Sequence, residues 1–295
     1  YNVAIGSSAL TNNTSSYNIG IGLNSLFSNT TGSGSVAVGS SALSSNTTSP
    51  NTAIGYYALS SNTSGVHNTA VGYNALTANA GSTSSENTAI GHSALSSNST
   101  GYENVAVGSL AMFTNSTGGD NVAVGYQSLY SCRDSYNTAI GYQAMYSCTY
   151  GDSNAGVGYA SLTNVTAGAE NVGIGDLSGR SITTGVQNTA LGAWALYNTT
   201  TGSSNIGIGG LTPGSGFSPA YNITTQNNYI SMGSTTVTNA YIQVAWTVVS
   251  DARDKTNFGT VPHGLDFVTK LNPVSYQFKV SRDNDTANGD VRYGF

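Results

Sequence analysis

Cys132 and Cys148 stand in the sequence as C-x15-C. A zinc site would need two further ligands close by, and none accompanies them. A disulfide needs only a backbone that brings the two Cα atoms within about 4.4–6.8 Å. The pair reads either as that bond or as two free thiols, since the redox history of a chain is not encoded in it. Glu86, Glu103 and Asp120 recur at 17-residue intervals. Stacked, they would repel one another unless solvated or bridged by a cation such as Ca²⁺. A glycosidase would need a carboxylate pair across a cleft, and no insertion supplies one. His67, His92 and His263 have no neighbours that would complete a triad. Tyr56, Tyr73, Tyr126, Tyr142 and Tyr159 each follow a glycine. They read as an aromatic strip for sugar rings or as surface rings stacked on each other. No cofactor is implied.

All these residues hang on one repeat. The block Asn-x-(Ala/Gly)-(Ile/Val/Leu)-Gly begins at Asn2, Asn18, Ser35 (in place of Asn), Asn51, Asn68, Asn87, Asn104, Asn121, Asn137, Asn154, Asn171, Asn188 and Asn205. These thirteen copies are spaced 16 to 19 residues apart, and the closing glycine is kept from Gly6 to Gly209. Leu or Met follows four residues later in eleven of them, with Gly179 and Pro213 the exceptions. Two helices and their turns need roughly 33 residues, so a helical solenoid is excluded. In a strand the aliphatic residue three places after Asn shares a face with the Thr, Val or Ile one place after it, and Ala or Gly takes the other face. The pattern predicts an all-β chain: a parallel β-solenoid, or β-roll, of about thirteen coils. The aliphatic column, Ile90 included, is expected to be its dry interior. Equal offsets stack about 4.8 Å apart, giving a rod on the order of 60 Å. The block Asn residues form one column; Asn13, Asn29, Asn46, Asn62, Asn79, Asn98 and Asn115 form a second, continued by the two cysteines. Stacked amides bonding from rung to rung are the expected use of both.

Charged residues make up only 7% of the chain, with a net charge of −5. Arg133 and Arg180 are the only basic residues among the first 249, which argues against nucleic acid, since that needs a clustered basic footprint. No apolar run approaches the roughly 18 residues of a membrane span. So thin a coil buries little on its own and is expected to gain apolar contact by association. The chain opens one residue before a repeat block and reads as an excerpt, so the lack of a signal peptide carries no weight. The charge distribution and the loss of the repeat divide it into three: a solenoid over 1–217, a β-rich connector over 218–249, and a different domain over 250–295. An ice-binding array would need unbroken Thr, whereas Thr52, Thr69, Thr88, Thr138 and Thr189 alternate with Val and Ile elsewhere.

The blocks resemble the head repeats of trimeric autotransporter adhesins of the YadA type, in which such units build a left-handed parallel β-roll in a trimer. "SDARDKTNFGTVPHGLDFVTKLNPVSYQFK" (250–279) and "RYGF" (292–295) closely resemble the start of the intramolecular chaperone auto-processing domain of phage tail fibres and tailspikes. The preceding "NNYISMGSTTVTNAYIQVAWTVV" resembles the connector found ahead of that domain. The second resemblance implies a small α+β domain, of which the family has more beyond the position of Phe295. It also implies trimerisation during folding and self-release by cleavage between Val249 and Ser250, with Ser250 as nucleophile and Lys255 as its base. Together the resemblances imply a homotrimeric virion tail fibre, bound to other tail proteins and to a host-cell receptor such as a glycan, with no nucleic-acid partner and no membrane insertion. The rival is a cell-surface adhesin or filament built on the same repeats.

Overall fold

The structure is a computed structural model. It describes residues 1–48, 50–81, 84–210, 219–235 and 237–239, and the backbone of two later strands. One compact unit covers Tyr1–Asn239. Its fourteen strands, from β1 (Val3–Ile5) to β14 (Ile230–Met232), are three residues long and lie in chain order in a single parallel sheet. Register follows the repeat: Val3 pairs with Ile19, Thr52 with Thr69, and Ile206 with Ile230. The chain is the all-β solenoid that the repeat predicts, and no helix occurs among the described residues. β14 joins the ladder through a longer, 24-residue step from Ile206 to Ile230.

The interior is not the one expected. Ala37, Ala53, Ala70, Ala89 and Ala106, at the middle of their strands, are fully buried, as are Leu26, Leu43, Leu59, Leu76, Leu95, Met112, Leu129, Met145 and Leu162. The aliphatic residue after each Ala or Gly points outward instead, and Ile90 is 41% exposed. Width is the reason. A Cβ placed on Gly156 would lie 2.9 Å from Met145 Cγ, and one on Gly207 only 2.6 Å from Leu196 Cγ. A coil already filled by one Leu or Met per turn admits nothing larger than Ala opposite it, so Ile and Val must face out.

The turn after each strand relies on left-handed backbone. Gly91 has φ +135°, and a Cβ there would sit 2.6 Å from the Gly108 carbonyl oxygen of the next coil. Sterics therefore hold this column as glycine. The Leu column is also left-handed, with Leu43 at φ 51° and Leu95 at φ 52°. That conformation costs a residue with a Cβ roughly 1–2 kcal/mol, less than the about 1.5–3 kcal/mol that full burial of a Leu side chain contributes. Burial wins.

A second compact unit covers Ala240–Phe295. Its described part is an antiparallel pair, β15 (Val274–Ser281) with β16 (Asn284–Gly294). Val274 pairs with Gly294 and Phe278 with Asn288, with irregular register between Tyr276 and Phe278.

Replacing Ala89→Leu should destabilise the solenoid by about 1–3 kcal/mol or more through overpacking, whereas Ile90→Leu, which conserves volume, should cost less than about 1.5 kcal/mol. Denaturant unfolding of both variants measures this. An Ala89→Leu chain as stable as its parent would mean the coil is wider than its backbone indicates.

Candidate functional site

Stacking turns each repeat position into a column, and each column has one chemistry. In the first, the Asn side chain bridges consecutive coils. The Asn51 Oδ1 accepts the backbone N–H of Asn68 at 2.9 Å, and the Asn154 Oδ1 accepts that of Asn171 at 2.9 Å. In most rungs the Nδ2 donates to a glycine carbonyl fourteen residues on, as from Asn104 to Gly118 and from Asn188 to Gly202, both at 2.8 Å. Asn68 donates to the Ser84 carbonyl and Asn121 to that of Asp134 instead. Ser35 keeps the acceptor role, its Oγ taking the Asn51 N–H at 3.2 Å. The expected amide-to-amide contacts occur too, but the backbone is the steadier partner.

The second column does form an amide ladder: Asn62 donates to Asn46 and Asn79 to Asn62, each at 2.8 Å, and Asn98 to Asn79 at 2.9 Å. Asn98 Oδ1 is the one buried side-chain oxygen or nitrogen among the described residues without a partner. Cys132 and Cys148 follow, both buried, with Sγ atoms 2.9 Å apart. The column then turns apolar at Val165 and Ile182, both fully buried. The sequence reading stopped at the cysteines; the same 17-residue offset would have reached these two.

On the surface the tyrosines stack on one another. Tyr126–Tyr142 and Tyr142–Tyr159 have centroids 5.4 and 5.2 Å apart at 21° and 6°. His92 continues the Tyr56–Tyr73 stack at 5.3 Å from Tyr73. A second column, Phe113–Tyr130–Tyr146, was not anticipated; its signal was an aromatic residue directly after the buried Leu or Met. In all of these, inner ring faces are covered by neighbouring rings, leaving edges and hydroxyls outward. Near the last rungs Trp194, Tyr197, Tyr221, Leu196 and Ile223 line a depression.

Glu86, Glu103 and Asp120 also share a column, at left-handed positions just before the Asn. The charge of Asp120, then desolvation and the charge of Glu86, hold the Glu103 carboxyl above its usual range. No group of three or more His, Cys, Asp or Glu among the described residues is arranged to hold a metal ion. Further along, Glu170 accepts a hydrogen bond from Gln187 Nε2 at 2.9 Å.

Another surface column is aliphatic. Ile54, Ile90, Ile140, Ile174, Leu191, Ile208 and Met232 are exposed in one column, and Ile21, Val38, Val71, Val107, Val124 and Val157 continue it half-buried. Thr, Val and Ile run beside it on the same face. Val249, Ser250, Lys255 and His263 lie outside the described residues.

Residues 250–295 match the family described as chaperone of endosialidase. The chain thus combines a β-solenoid with the segment matched by that family. No curated protein and no solved structure matches it. Among the described residues no helix is long and apolar enough to cross a membrane.

The carboxylate column predicts a pH effect. Because the folded-state titration of Glu103 is raised, its contribution to stability is full below the unfolded carboxylate range and is lost as pH rises through the folded value. Glu103→Gln should therefore raise the melting temperature near about pH 7, most clearly at low salt, and leave it unchanged near about pH 2–3. Paired thermal scans test this; a variant that melts lower at neutral pH would show that the column is not repulsive.

Proposed function

We propose that the chain is the shaft or head of a homotrimeric phage tail fibre that presents its outer columns to a host cell, with folding and assembly assisted by the segment after residue 249. The observation that carries this reading is the outward aliphatic column, which recurs on fourteen rungs. At about 4.8 Å per rung it is a stripe roughly 60 Å long and, with the column beside it, on the order of several hundred Å². Monomeric proteins seldom leave so large an apolar surface exposed. Three copies turning this face to a common axis would bury it, and the trimer would then have the dry core that each coil lacks room for. A chaperone segment suits such a product, because chains that are stable only together must first find one another. The three-domain division, with boundaries at 217 and 249, belongs to the same proposal, as does the kinship with YadA-type head repeats. The 218–249 connector then includes β14, which still pairs with the solenoid ladder.

Self-release belongs to this proposal as well and rests on the resemblance at 250–279. A serine hydroxyl is a poor nucleophile at neutral pH, so attack by Ser250 on the Val249 carbonyl needs a base to take its proton. Lys255 can serve only if its amine is largely neutral, which burial or nearby positive charge such as Arg253 would favour and Asp251 and Asp254 would oppose. Ser250 and Asp251 are also suited to cap a helix beginning near Ala252, and a cap would hold the hydroxyl close to the preceding carbonyl.

Light scattering at micromolar concentration should give three times the 30.1 kDa chain mass, and Ile90→Asp with Val107→Asp should give species of lower order with a lowered melting temperature. A stable monomeric parent, or an unaltered trimer in the double variant, would sink the assembly reading. For release, the gene's complete product should yield two fragments, while Ser250→Ala and Lys255→Ala should each leave it whole. Cutting after Val249 in the Ser250→Ala protein would refute the assignment.

A further inference from the structure

We propose that Cys132 and Cys148 are an oxidation site: they form an intrachain disulfide that staples two adjacent coils where the buried amide column gives way to aliphatic residues. Three observations carry this. The two residues occupy the same offset in neighbouring rungs, and Val122 and Thr138 pair directly at the same 16-residue interval. Both side chains are buried, and their sulfurs approach to 2.9 Å, which leaves less than about 1 Å to close to bonding distance. Third, oxidation would leave no buried acceptor unpaired. In the thiol form Cys148 donates to the Gly151 carbonyl at 3.3 Å, but that oxygen also accepts from Asn137 Nδ2 at 2.8 Å. The Asp134 carbonyl, a distant acceptor for Cys132, already accepts from Asn121 Nδ2 at 2.8 Å.

The neighbours in the column make no demand on the pair either. Asn115 closes its amide on Gly118, accepting the Gly118 N–H and donating to its carbonyl, each at 3.0 Å. Val165, on the other side, has no polar side-chain atom to satisfy. An Asn at 132 or 148 would extend the ladder; two sulfurs can instead close on each other.

The chemistry balances with a small-molecule disulfide such as oxidised glutathione as oxidant. One cysteine thiolate displaces a glutathione thiol to give a mixed disulfide, and the second cysteine sulfur displaces the other glutathione. Two thiol protons and two electrons pass to the oxidant, which leaves as two thiols. The neighbouring thiol and burial raise the Cys132 thiol above its usual range, so thiolate attack is disfavoured once the coils have closed. The bond should therefore form as the coils assemble and then be shielded from reductants.

The test is to refold the full chain from denaturant with oxidised glutathione and, in parallel, with excess reduced glutathione. Thiols are then titrated under denaturing conditions, and non-reduced peptides are mapped by mass. The oxidised sample should lose both titratable thiols and give one peptide linking Cys132 to Cys148 within a chain. Its melting temperature should exceed that of the reduced sample by several degrees. The control Cys132→Val with Cys148→Val, which continues the apolar column upward, should melt identically in both buffers. Two thiols still titratable after oxidative refolding, or a link joining different chains, would overturn the proposal even if the control failed to fold.

Discussion

The fold depends on one hydrogen bond, repeated in every coil: the side-chain oxygen of the block Asn accepts the backbone N–H of the residue stacked on it. From Asn2 to Asn18 at one end and from Asn205 to Tyr229 at the other, it is made at 2.9 Å. The N–H involved faces the interior just before the strand, where water cannot reach it. Left unpaired, each such donor would cost about 1–3 kcal/mol, a sum no coil this thin could carry over fourteen rungs. The amide's other end reaches a backbone carbonyl in the adjacent turn, so one side chain satisfies both a buried donor and a buried acceptor. Ser35 shows which half matters more: it keeps the acceptor and gives up the long-range donor.

This bond fixes how much room is left. With two polar columns inside, the coil holds one Leu or Met, one Ala or Gly at mid-strand and one Ala or Ser just before the Leu, as at Ala42 and Ser128, and the larger aliphatic residues are forced outward. A solenoid of this bore therefore cannot provide its own large apolar core. It supplies half of one, as a flat face, and leaves the other half to whatever covers it. Thin repeat and apolar outer face are thus one fact, and the reading as an assembling fibre follows from it more directly than from any single side chain.

Much of this was legible in the residues. The 16–19-residue period gave the solenoid, the strand positions and the register, because a column must be compatible with itself. Period-two alternation also put Ile90 and Thr88 on one face and Ala89 on the other. It could not say which face was inside, and hydrophobicity pointed the wrong way. A size rule would have decided it: the column that through all thirteen repeat blocks accepts only Ala and Gly, as at Gly20, Ala37 and Gly156, is the crowded one. The column that accepts Ile, Val, Leu and Met freely has open space. The second polar column was recognised only while it stayed polar, since Val165 and Ile182 share an offset with Asn115 but not its chemistry. Ser250 and Lys255 were named from a resemblance, and they lie outside the described residues.

The scarcity of charge has the same origin. In a parallel stack any residue type placed in a column meets its own kind about 4.8 Å away. Amides, hydroxyls, aliphatic groups and rings can pair with themselves at that distance; carboxylates and ammonium groups cannot. Glu103 shows the penalty, its carboxyl pushed upward chiefly by Asp120 one rung on. Only nine charged side chains survive in the first 249 residues. Glu170 and Arg180 find neutral partners one rung on in Gln187 and Tyr197, whereas burial and the charge of Asp152 raise the Asp134 carboxyl. The same rule limits what the shaft can offer a partner. Rings already stacked on rings present edges and hydroxyls rather than faces, so these columns meet their surroundings as parallel rows of phenol groups. Where the rows break, near the longer step between Ile206 and Ile230, the surface dips into a depression of mixed chemistry.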